Sequence, residues 1–121
     1  NLHRQRIRAK RLRYAMEVFA GCYPAEFRGG VYKQVESIQS DLGHVNDLRN
    51  LVQTLVKLRP RVALRSRPVR QAVTSRLIDR LTEEIGQELR ERQHEFIIRW
   101  PVKQRELRRK FKRFLGPRVI I

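Results

Sequence analysis

Apolar residues recur at steps of three and four along nearly the whole chain, and this one periodicity restricts the fold to packed helices. Ala9, Leu12, Met16 and Phe19 mark a first helix over residues 2–19, and Gly21 and Pro24 break it. A second helix, residues 31–42, carries Tyr32, Val35, Ile38 and Leu42, and Gly43 follows at a natural stop. Asn46 or Asp47 caps a third, with Leu48, Leu51, Val52, Leu55 and Leu58, and Pro60 ends it. Residues 59–70 hold five arginines and two prolines and read as a basic linker. A long fourth helix, residues 69–99, spaces Val73, Leu77, Leu81, Ile85 and Leu89 by four, with Gly86 inside it as the natural place for a bend. Pro101 separates it from a fifth, residues 102–115. No stretch has the length and period of a strand. The expected fold is all-α: an antiparallel bundle of about five helices, one domain over residues 1–121.

Charge narrows the function. The 28 basic residues, 22 of them arginine, outnumber 12 acids and leave a net charge of +16. Guanidinium forks match phosphate oxygens in pairs, so the expected partner is a polyanion: nucleic acid, an anionic membrane surface or a phosphate polymer. The single cysteine, Cys22, excludes an internal disulfide and makes a reducing compartment the default. No apolar run approaches the roughly 18 residues of a membrane span, and the first residues do not lead into a signal-peptide core. A chain that opens inside a helical pattern reads as part of a longer protein.

The first helix carries two kinds of basic residue. At about 100° per residue, His3, Arg6, Lys10 and Arg13 share an arc of about 80°, with Glu17 one turn beyond. Ile7, Tyr14 and Val18 flank this arc on one side, and Ala9, Leu12, Met16 and Phe19 form a second apolar sector. Arg4, Arg8 and Arg11 take the remaining, solvent-facing sector. An ordinary amphipathic helix has one apolar face. Cations set between two apolar sectors suggest a groove or channel, where like charges need a counter-charge. Glu17 neutralises one of three fixed cations, and an external anion is left to neutralise the surplus. The competing reading is a basic helix solvated all round.

These residues also carry a family resemblance. The pattern His3-x-x-Arg6-Ile7-x-x-Lys10-Arg11-Leu12-Arg13-Tyr14-x-x-Glu17-x-Phe19 resembles the signature helix of the CHAD domain, the histidine-containing α-helical domain. Gln39-x-x-Leu42-Gly43-x-x-Asn46-Asp47 is similar to that family's second element, in the expected order. The resemblance covers residues 2–58 by motif. It implies a helical bundle that binds inorganic polyphosphate in a basic pore, built from two pseudo-symmetric halves of which this chain resembles the second. An upstream half or a second copy would then complete the pore. The family also occurs beside a triphosphate-cleaving domain marked by Glu-x-Glu-x-Lys, which this sequence lacks, so hydrolysis is not carried over.

On the fifth helix, Arg105, Arg109 and Lys112 form either an opposing pore wall or a solvated face. The 59–70 segment either closes over a bound polymer or is simply solvated. His3, His44 and His94 lack zinc spacing, so no metal or cofactor is expected. His3 reads as a phosphate donor that strengthens when protonated; Tyr14 either packs on the stripe or sits in the core. Gly29-Gly30 lacks the Walker spacing, and no acid pairs with a nucleophile, so no enzyme is expected. The expectation is a non-catalytic polyphosphate binder, cytoplasmic and associated with polyphosphate granules. Its rivals are a sequence-insensitive nucleic-acid module and a basic scaffold for an acidic protein.

Overall fold

A computed structural model describes residues 1–18, 20–22, 25–65 and 67–115, with side chains for all of these except residues 20, 28, 65, 114 and 115. Phe19, placed in the first helix, and Pro24, placed at its break, lie outside the described residues. Among them every regular element is helical: α1 (Leu2–Val18), a 3-10 turn (Ala20–Cys22), α2 (Ala25–Phe27), a π-helical segment (Arg28–Tyr32), α3 (Lys33–Arg65) and α4 (Pro68–Leu115).

The helix starts follow from local chemistry. Asn1 accepts the His3 N–H on Oδ1 at 2.9 Å and the Gln5 N–H on its carbonyl at 3.2 Å, which satisfies two of the donors that a helix start leaves open. At α4 the first residue is Pro68, whose missing N–H is harmless there; the Arg67 carbonyl accepts the Gln71 N–H at 2.8 Å.

The expected five helices are three long ones and the short α2. The second and third merge through Gly43 into α3, so Asn46 and Asp47 are interior positions and cap nothing. α3 also runs through Pro60 to Arg65, and α4 runs through Gly86 and Pro101 to Leu115. Most of the 59–70 segment is therefore helix. An interior proline costs about 3 kcal/mol, through one lost hydrogen bond and a clash with the carbonyl four residues back. Pro60, Val56, Pro101 and Ile97 are all exposed, so water reaches the carbonyls that the two prolines leave free. The turns on either side keep their own bonds, and each helix continues.

The chain divides into two compact units: residues 1–43 with 96–121, and residues 44–95. The first has a continuous core of Ala9 and Met16 from α1, Phe27 and Val31 from the α2–π segment, Val35, Ile38 and Leu42 from α3, and Phe96, Leu107 and Phe111 from α4. Val31, Val35 and Leu42 are the most deeply buried, each worth about 1.5–3 kcal/mol relative to exposure. Phe27 meets Phe111 edge to face at 6.0 Å, and Phe96 stacks on Trp100 at 5.4 Å. α1 and α3 run antiparallel, because Glu17 meets Tyr32 at one end while Ala9 and Leu12 share a cavity with Val35 and Ile38 further along.

The second unit is a helical hairpin. His44 pairs with Glu88 at 3.6 Å and Arg59 with Asp79 at 2.9 Å, so the two helices are antiparallel here. Val45, Leu48, Leu55 and Ile78 are its buried apolar residues. Arg59 sends Nε and Nη2 to the two Asp79 oxygens and Nη1 to Ser75 Oγ at 2.9 Å. This fork holds the Asp79 carboxyl below its ordinary range, chiefly through hydrogen bonding, and raises the Arg59 guanidinium for the same reason.

Candidate functional site

α1 turns Ala9, Leu12 and Met16 inward. Measured from that direction, Arg6 and Arg13 lie about 60–90° to one side, and Lys10 and His3 about 120–150°. The structure matches this order: Arg6 and Arg13 are half-buried, and Lys10 and His3 are exposed. The side chains line one flank of α1.

Tyr14 and Glu17 organise the middle of that flank. The Tyr14 ring has Lys10 Nζ 5.8 Å and Arg13 Cζ 5.5 Å from its centroid, both within cation–π range. Tyr14 is therefore part of the stripe and not of the core; it is 47% exposed. Glu17 Oε1 lies 3.5 Å from Arg13 Nε and accepts the Tyr32 hydroxyl at 2.7 Å. Donation to this carboxylate is the main reason that the Tyr32 phenol is raised above its ordinary value of 10.0. Tyr32 is placed to do this by the π segment, whose Gly29-Gly30 pair tolerates the wider turn.

α3 contributes to the same flank. Gln39 and Gly43 lie about 70–110° from the inward direction of α3, rotated in the same sense as Arg6 and Arg13 on α1. On antiparallel helices, rotation in one sense leads to one side of the pair. The two sequence motifs thus lie on one side of the pair: Arg6, Lys10 and Arg13 on one helix, Gln39 and Gly43 on its neighbour. Two buried side-chain polar atoms without a hydrogen-bond partner stand out among the described residues, Arg13 Nε and Gln39 Oε1. Both belong to these motifs. Each such orphan costs about 1–3 kcal/mol until a partner arrives.

Among the described residues the flank is open. Of the apolar residues Ile7, Tyr14 and Val18 that flank the stripe, Ile7 is half-buried and Val18 is 76% exposed. Arg105, Arg109 and Lys112 are exposed on α4, on the side away from buried Leu107 and Phe111; Arg105 Nε donates to its own helix at Pro101 O, 3.3 Å away. They do not face the α1 stripe. What α4 turns toward α1 is Arg108, which with Arg8, Gln5 and Gln104 rims an apolar cavity of about 200 Å³. Sequence angles assigned Arg8 to solvent and did not single out Arg108 as a neighbour, because a helical wheel does not say which helix lies alongside.

The arrangement defines a class: an all-helical module whose first helix presents an ordered cationic flank. Comparison with known families is consistent with it. The family model of the CHAD domain matches residues 1–56, so that stretch of the chain is similar to that family. No curated protein and no solved structure gives a significant match. Among the described residues no helix is long and apolar enough to cross a membrane.

Proposed function

We propose that this chain binds inorganic polyphosphate, without catalysis, along the α1 flank. Arg6, Lys10 and Arg13 bind successive phosphates, with His3 as an auxiliary donor at the end of the row. The carrying observation is that two buried polar atoms without a hydrogen bond, Arg13 Nε (3.5 Å from Glu17 Oε1) and Gln39 Oε1, lie on the flank that holds the stripe. A phosphate oxygen accepts from Arg13, and the Gln39 amide turned by a half rotation presents its NH2 to the same anion. Gly43 leaves the backbone open to close approach. Arg105, Arg109 and Lys112 add a separate cationic strip on α4.

The exposed Tyr14 and Val18 beside the stripe support a further wall, from an upstream half or from another copy, that would turn the flank into a channel. A cytoplasmic setting near polyphosphate granules fits such a binder. The second reading is a nucleic-acid module, favoured by the net charge of +16. A competition titration of polyphosphate, single-stranded RNA and duplex DNA, at equal phosphate concentration and physiological salt, separates the two. Polyphosphate is expected to win, because bare phosphates approach the row without bases to accommodate. Equal or tighter binding of RNA or DNA gives the site to nucleic acid.

A further inference from the structure

The hairpin of residues 44–95 leaves part of its apolar surface uncovered. Leu51 and Leu58 on α3 are 45% and 41% exposed, and Leu77 and Leu81 on α4 are 54% and 45% exposed. From the buried direction of each helix, Leu51 and Leu58 are rotated by about 70–90° and Leu77 and Leu81 by about 80–120°, in the same sense. The helices are antiparallel here, so all four leucines fall on one flank. The Arg59–Asp79 and His44–Glu88 pairs set the register, which puts Leu58 level with Leu77 and Leu51 close to Leu81. This is one apolar patch.

Its two ends differ in charge. Exposed Asp47 and Glu88 lie at one end, and exposed Arg70 lies at the other with Arg61 at its outer edge. A half-turn about an axis across the hairpin, at the level of Thr54, maps this flank onto itself with the ends exchanged. Glu88 then meets Arg70 of the second copy, and Asp47 meets Arg61 of the second copy. The same operation lays Leu51 over Leu58 and Leu77 over Leu81. Apolar and charged positions on both helices share one register, as an isologous interface requires.

We infer that this flank is a self-association surface, on which a second copy of the chain docks antiparallel to form a four-helix bundle. The patch runs about 21 Å between Asp47 and Arg61 and is two helices wide, a footprint of roughly 400 Å² per copy. Two such faces, with interdigitated side chains, reach about 1,000 Å², the low end for a specific interface, so the dimer is weak and concentration-dependent. The inference does not rest on polyphosphate binding, and every measurement below omits polyphosphate.

Sedimentation velocity over a wide concentration range is expected to show a reversible monomer–dimer equilibrium. Leu58→Glu should abolish it, whereas Val56→Glu, at a position 57% exposed on the opposite flank, should not. Arg70→Glu should weaken the dimer severalfold, and adding Glu88→Lys should restore it. In a Cys22→Ser background, Thr54→Cys should give a disulfide-linked dimer on mild oxidation and Val56→Cys should not. Circular dichroism confirms that each variant is folded. A monomer at all concentrations, open-ended assembly, equal loss from Leu58→Glu and Val56→Glu, or a charge swap that does not restore association would each overturn the inference.

Discussion

Tyr32 donates its phenolic hydrogen to Glu17 Oε1 at 2.7 Å, and so joins the end of α1 to the segment leading into α3 beside the cationic flank. The same carboxylate lies 3.5 Å from Arg13 Nε. Glu17 thus anchors the flank and also subtracts from its positive charge.

Glu17→Gln is therefore expected to tighten polyphosphate binding severalfold, because it removes the only acid in the row while keeping an acceptor for Tyr32. Isothermal titration at moderate salt reads this directly. Weaker binding by the variant would show that Glu17 acts mainly by positioning Arg13.

The Tyr32–Glu17 bond also makes a pH prediction. The folded-state phenol titrates above its ordinary 10.0, so its contribution to stability is complete below that pH and is lost as the pH rises through the folded value. Tyr32→Phe should melt below the wild type at neutral pH, and the two should converge under strongly alkaline conditions. A constant difference across that range would rule out the bond as its source.

Charge reversal should separate the two basic faces of α1. Arg6→Glu, Lys10→Glu and Arg13→Glu are each expected to weaken polyphosphate binding about tenfold or more, the size of a lost charged hydrogen bond. Arg4→Glu and Arg11→Glu change net charge equally but act only through a screened field, and should cost much less. Equal losses at all five positions would show that overall charge is what matters.

Gly43→Ala should split stability from binding. A Cβ there meets nothing within 4 Å, so alanine is expected to stabilise α3 by up to about 1 kcal/mol. If the open backbone admits the anion, affinity should fall even as the melting temperature rises. Unchanged affinity would remove Gly43 from the site.

At the Arg59–Asp79 fork the sign is opposite to that of Tyr32. The Asp79 carboxyl is held below its ordinary 3.8, so its stabilisation is complete above that pH and fades as the pH falls through the folded value. Asp79→Asn should lower the melting temperature at neutral pH, with the difference closing in strong acid. Parallel melting curves at all pH values would place the effect elsewhere.

Helical class, the start of α1 at Leu2 and the inward set Ala9, Leu12 and Met16 were legible in the sequence, because a period near 3.6 is a local property of each segment. The separation of Arg6, Lys10 and Arg13 from Arg4 and Arg11 was legible for the same reason. Helix ends at Gly43, Pro60 and Pro101 were not, since these residues weaken a helix by amounts that continuous turns on either side offset at exposed positions. Neighbours were not legible either. Packing alone brought Gln39 to the flank of Arg13, gave Glu17 the Tyr32 hydroxyl, turned Arg8 and Arg108 onto one cavity, and left Arg105, Arg109 and Lys112 pointing away. A sequence determines the angle at which each side chain leaves its own helix; which helix stands at that angle is decided only when several apolar faces share one core.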